Sequence, residues 1–190
     1  MRDTDLFEQA LGLVSPWFVA HCLFDAQDKQ LDLHLDFTPG GVFACPHCDQ
    51  KECKAYDTEE KTWRHLNFFE HTTYLHARTP RIECPQCGVK TVSVPWARGE
   101  SGFTLLFEAF ILTLAQQMPL NAMARLVDEH DTRLWRILHH YVEQARDEQD
   151  YSSVQEVGVD ETSSKRGHNY ITVFVHMDQS KVLFATPGKD

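Results

Sequence analysis

Apolar and polar positions change period along the chain, and each change predicts a different element. The stretch Leu6-Phe7-Glu8-Gln9-Ala10-Leu11-Gly12-Leu13 reads as a short helix ended near Gly12. Trp17-Phe18-Val19-Ala20 follows. Leu31-Asp32-Leu33-His34-Leu35-Asp36-Phe37 then alternates with period two, as a half-buried strand does, with His34 on its polar side. Pro39-Gly40-Gly41 turns the chain. Thr62-Trp63-Arg64-His65-Leu66 and Thr72-Thr73-Tyr74-Leu75-His76-Ala77-Arg78 are rich in β-branched and aromatic residues and predict the two strands of a hairpin.

From Thr104 to Ala145 the spacing becomes helical. Leu105, Leu106, Phe107, Phe110, Ile111 and Leu114 predict one helix closed before Pro119, and Leu120 to Val127 a second. After the polar residues Asp128 to Asp131, a third helix runs from Thr132 to Val142, with Asp131 or Thr132 as its N-cap. Three β-runs close the chain: Val157–Thr162, Tyr170–Asp178 and Lys181–Thr186, the first two joined by the basic turn Lys165-Arg166-Gly167-His168.

The chain has 190 residues, a size for one domain or two small ones, and 42% hydrophobic residues, enough to build cores. Its formal charge is -10, which at face value opposes nucleic acid as a partner. That charge is uneven: residues 1–44 hold seven acids against two bases, whereas residues 45–100 hold eight of each. No apolar run approaches the roughly 18 residues a membrane span needs. With an acidic N-terminus unlike a signal peptide, a cytoplasmic protein is expected, with no membrane partner.

Cysteines carry the clearest chemistry. Cys45-Pro46-His47-Cys48 is followed, after 35 residues, by Cys84-Pro85-Gln86-Cys87-Gly88. Two such knuckles can deliver four thiolates to one tetrahedral Zn²⁺, and the predicted hairpin between them would bring them together as a zinc ribbon. A redox role for either pair fits less well, because no thioredoxin-like βαβ pattern surrounds it. Cys53 stands either as an alternative ligand or as a packed neighbour; Cys22 reads as a small buried apolar residue and His47 as solvent-facing.

The three helices admit two readings. As a helix-turn-helix, Thr132, Arg133 and Arg136 would face the DNA major groove, with His139 and His140 near the backbone. As an ordinary three-helix bundle, the same arginines would be solvated. Asp160, at the end of an apolar run, either helps hold a divalent metal with other carboxylates or simply marks a strand end.

Taken together, "LFEQALGLVSPWFV", "FACPHC", "ECPQCGVKTVSVPWA", "HDTRLWRILHHYV" and "VGVDETSSKRGHNYITVFVHMD" resemble the ISL-three family of bacterial insertion-sequence transposases over nearly the whole chain. The resemblance implies an α+β, multi-domain chain: a lead-in (1–44), a zinc ribbon (45–99), a helix-turn-helix (100–150) and the first strands of an incomplete RNase H-like DDE domain (151–190). It implies structural Zn²⁺ on Cys45, Cys48, Cys84 and Cys87, although relatives often carry His in place of Cys87. Asp160 matches the first acid of the catalytic triad, and Mg²⁺ is expected in the full-length enzyme. Glu161 points to the opposite face of its strand and is not counted as a ligand. The second Asp and the Glu of that triad match neither Asp178 nor Asp190, so a chain catalytically inactive on its own is expected. The expected partners are the terminal inverted repeats of the element, within a homo-oligomeric transposition complex in a nucleoid-associated setting. A non-catalytic DNA-binding regulator, or a non-functional remnant of a transposase gene, is the alternative.

Overall fold

The computed structural model describes residues 2–163 and 169–188, and these form two compact units, 1–138 and 139–190. The basic turn at Lys165–His168 and Asp190 lie outside the described residues.

In the first unit, helix α1 (Asp3–Leu11) starts where Arg2 and Asp5 satisfy each other, the Arg2 backbone N–H donating to the Asp5 carboxylate at 3.0 Å. It ends at Gly12, whose φ of 62° is the left-handed turn that glycine adopts without a Cβ penalty. Six strands follow: β1 (Trp17–Asp25), β2 (Gln30–Phe37), β3 (Val42–Phe43), β4 (Cys53–Phe68), β5 (His71–Cys84) and β6 (Gly88–Thr91). They make one sheet in the order β1-β2-β5-β4-β3, with β6 on β5. All neighbours pair antiparallel except β2 and β5, which run parallel with Leu33 opposite Leu75. The expected lead-in and ribbon strands therefore share a single sheet.

The period-two pattern of β2 holds: Leu31, Leu33 and Leu35 are buried and the alternate residues are not. With Val19, Trp63, Leu75 and Ile82 they form the core, where full burial of each large aliphatic side chain contributes about 1.5–3 kcal/mol. Trp96 closes this core edge-on against Trp17 (4.9 Å between centroids) and Trp63 (5.7 Å). The β4–β5 hairpin is far longer than the two predicted runs. The face of its outer half away from the core is polar, with cross-strand pairs such as Asp57 with Arg81 and Glu60 opposite Arg78.

Three helices complete the helical segment: α2 (Leu105–Ala115), α3 (Leu120–Val127) and α4 (Asp131–Asp147). The Thr104 hydroxyl caps α2 by accepting from the Phe107 N–H at 3.3 Å. α3 ends at Asp128 in the left-handed region, φ 52°. The expected cap of the third helix shifts by a residue. Asp131 is already helical, where its charge favours the N-terminal end, and its carboxylate accepts the Thr132 N–H at 2.7 Å. The segment before α2 is tied to the sheet, because Arg64 donates its backbone N–H to Gly102 and accepts that of Thr104.

In the second unit, β7 (Val157–Ser163), β8 (Tyr170–His176) and β9 (Lys181–Pro187) form an antiparallel sheet in the order β7-β8-β9. The Arg146 guanidinium lies 5.0 Å from the Phe184 ring centre, and the Tyr151 hydroxyl donates to the Leu183 carbonyl at 3.3 Å. No helix of the described residues is long and apolar enough to cross a membrane.

Candidate metal centre and nucleic-acid interface

The two knuckles sit at strand ends that the sheet brings together: Cys45–Cys48 between β3 and β4, Cys84–Cys87 between β5 and β6. The first is a closed turn in which the Cys45 carbonyl accepts from the Asp49 N–H (3.0 Å) and its N–H donates to Gln50 (2.9 Å). The second returns through Gly88 at φ 69°, a left-handed position that suits glycine. The four sulfurs lie within 4.8 Å of one another, with Cys48 Sγ 3.6 Å from Cys84 Sγ. A tetrahedral zinc with bonds of about 2.3 Å spaces its sulfurs by about 3.8 Å, so the donor set fits that ion.

The thiols are not equivalent. Hydrogen bonding from the Gln86 backbone N–H lowers Cys84 to about 7, while its contact with Cys48 pushes Cys87 up to about 12. Cys53 is buried on β4 and points its thiol at the Gln50 carbonyl (3.5 Å), outside that four-sulfur group. Cys22, expected as a buried apolar residue, is only half-buried and donates to the Asp3 carboxylate at 3.1 Å. His47 is exposed, as expected.

On α4 the expected DNA-facing residues divide. Thr132, Arg136, His139 and His140 are exposed. Arg133 instead pairs with Glu129 at 2.6 Å and stacks 4.4 Å from the Phe103 ring centre. It is half-buried against Gly102, where an added Cβ would meet its guanidinium at 3.3 Å. Its side chain holds the helix-turn-helix turn rather than pointing freely outward.

Asp160 is exposed on β7, opposite Val173, and its carboxylate accepts the Glu161 N–H at 2.9 Å. Among the described residues no other acid or histidine joins it in a metal-sized group.

One cluster is missed by sequence reasoning: His21, His34 and His76 stack in a row across β1, β2 and β5, at 4.2 and 4.7 Å between centroids. The His76 ring is fixed by Asp32 (2.8 Å) and Thr62 (2.9 Å). The polar side of β2 signals His34, but no local pattern signals the parallel register that lines it up with His76.

A four-thiol knuckle site on a β-hairpin, followed by a short helix, tight turn and longer helix, defines a metal-ribbon and helix-turn-helix protein. Residues 41–87 match the zinc-finger of transposase IS204/IS1001/IS1096/IS1165, and residues 92–142 match the helix-turn-helix domain of transposase family ISL3. Both matched segments are thus similar to domains of ISL3-type insertion-sequence transposases. The chain is 31% identical over 203 residues to the transposase for insertion sequence element IS1557 of Mycobacterium tuberculosis, covering 100% of this chain and 44% of that protein. It is 25% identical over 162 residues to the transposase for insertion sequence element IS1001 of Bordetella parapertussis, covering 85% of this chain and 40% of that protein. The chain thus spans less than half the length of these curated relatives. No solved structure matches it.

Proposed function

We propose that this chain is the DNA-recognition part of an insertion-sequence transposase, which binds the terminal inverted repeats of its element. The observation that carries the reading is the coincidence of the helix-turn-helix match (92–142) with α2–α4, whose third helix leaves Thr132 and Arg136 exposed. Arg136 can donate two hydrogen bonds to a guanine edge, and Thr132 can contact a base or phosphate. His139 and His140, about one turn beyond Arg136 and also exposed, serve the backbone. In this reading Arg133 positions the helix and does not read bases.

The segments 45–99 and 100–150 act as ribbon and reader, carried by the lead-in 1–44. Zn²⁺ held by Cys45, Cys48, Cys84 and Cys87 supplies a structural cross-link that fixes both ends of the β4–β5 hairpin. Segment 151–190 opens an RNase H-like catalytic domain, a reading supported by three antiparallel strands with an exposed acid on the first. Asp160 there would be one of several carboxylates needed to hold Mg²⁺, which would supply the charge stabilisation for phosphoryl transfer. One carboxylate does not position two ions, so cleavage and strand transfer are not assigned to residues 1–190.

Mobility shift with duplexes carrying the inverted repeats that flank the coding sequence tests this, against scrambled duplexes at the same salt. Preferential shift of the repeats is expected. Equal affinity for repeat and scrambled DNA overturns the reading.

A further inference from the structure

Two concavities flank the loop Arg98–Gly102. One, of about 670 Å³, lies between the loop and the β4–β5 hairpin; the other, of about 260 Å³, lies between the loop and α4. Lys61 and Arg98 line the first, and Arg98, Arg133 and Arg136 the second. Among the described residues Glu100 is the one carboxylate lining either. Four cations and one acid thus line the two spaces beside the reading helix, while the acids that partner Lys61, Arg98 and Arg133 (Glu59, Glu108 and Glu129) lie outside both linings.

The wall between the two spaces is tied to α2 by hydrogen bonds. Arg98 Nε donates to Glu108 at 3.0 Å and the Ser101 hydroxyl donates to the same carboxylate at 2.5 Å, with Glu108 fully buried behind them. These bonds use part of the Arg98 charge, as Glu129 uses part of that of Arg133. Among the described residues Lys61 has one ion pair, an exposed one with Glu59 at 3.5 Å, and such pairs are weak enough to yield to a phosphate. The larger space is also lined by Thr79, a hydroxyl 1% exposed that has no hydrogen-bond partner among the described residues.

We propose that this junction is a phosphate groove: the DNA backbone leaves the reading helix at Arg136, crosses the Arg98–Gly102 loop and runs past Lys61 of the ribbon hairpin. The proposal rests on the DNA-binding reading above and adds the ribbon face to the contact surface. Its contribution is independent of base sequence, because phosphates carry no sequence information.

Gly99 provides a test that does not disturb the fold. A Cβ built there meets nothing within 4 Å, so either charge can be installed on the loop. Fluorescence anisotropy with a labelled random-sequence duplex, over a salt series, measures affinity and its salt slope for the full chain loaded with zinc. Lys61→Ala is expected to weaken binding about 3- to 10-fold and to flatten the slope of log affinity against log salt by about 1. Gly99→Lys is expected to steepen that slope by about 1, and Gly99→Asp to weaken binding. Wild-type binding left unchanged by all three substitutions overturns the groove while leaving the reading helix intact. A wild-type chain that binds no duplex at low salt overturns both.

Discussion

Glu129, in the turn between α3 and α4, lies 3.8 Å from the Arg64 guanidinium of β4, with 6% and 2% of the two side chains exposed. Arg64 also donates to Asn67 (2.5 Å), to the His65 carbonyl and to the Thr73 carbonyl (3.3 Å), and it lies against the rings of Tyr74 and Phe107. The ribbon hairpin and the turn of the helix-turn-helix therefore share one buried ion pair. The turn that sets the angle of the reading helix is fastened to the sheet at a charged point.

Such a pair is costly to break from one side, because the remaining charge stays buried without compensation. Glu129→Gln keeps the shape and removes the charge that both Arg64 and Arg133 use. A loss of about 3 kcal/mol of unfolding free energy is expected, measured by urea denaturation of zinc-loaded protein. Adding Arg64→Met should recover part of the loss, and a double mutant whose two costs simply add contradicts the coupling.

His65 gives this junction a pH dependence. Burial, reinforced by the neighbouring Arg64 charge, pushes its imidazole from 6.5 down to about 4, and its Nδ1 lies 2.9 Å from the Thr104 hydroxyl that caps α2. The unfolded chain takes up the proton more readily than the folded one. Stability from neutral His65 is therefore complete above about pH 6.5 and is lost as the pH falls towards about 4, by at most about 3 kcal/mol. Urea unfolding of wild type and His65→Gln across that window should show the wild type losing more stability on acidification. Parallel pH curves for the two proteins contradict this assignment.

Local pattern carries much of this molecule. The period of Leu31, Leu33 and Leu35 specifies β2 and its buried face, and the Cys-x-x-Cys spacing specifies which four sulfurs meet. The segment Leu120–Val127 is legible because its apolar spacing and Pro119 are both local signals. Long-range pairing is what the pattern lacks. Nothing near Leu33 indicates that its neighbour is Leu75, 42 residues away and parallel, so the stacked row of His21, His34 and His76 is invisible in the sequence. The role of Arg133 is hidden for the same reason: spacing places it on the helix, but Phe103 and Glu129 decide where its charge goes.

Zinc removal should separate the ligand cysteines from their neighbour. One zinc per chain is expected by elemental analysis, and chelation should abolish cooperative unfolding of the ribbon, since structural zinc supplies folding free energy directly. Cys45→Ser or Cys84→Ser is expected to lose the metal. Cys53→Ser should keep it, because Cys53 Sγ lies outside the four-sulfur group and addresses the Gln50 carbonyl. Zinc lost equally from the Cys53 variant would make it a ligand.

Arg133 and Arg136, three residues apart on one helix, should fail in different ways. Arg136 is exposed, so Arg136→Ala removes a donor to DNA and little that holds the fold. Its expected cost is about 1–3 kcal/mol of binding to the preferred duplex, with the thermal midpoint nearly unchanged. Arg133→Ala removes the 2.6 Å pair with Glu129 and the stacking on Phe103, and leaves Glu129 to Arg64 alone. About 1–2 kcal/mol of stability should go with it, most of it from the partly desolvated guanidinium over the ring. Its binding defect should then arise from a displaced reading helix and fall on specific and scrambled duplexes unequally, whereas stability stays at the wild-type value if Arg133 only touches DNA. Paired melting curves and mobility shifts for the two variants decide between these roles.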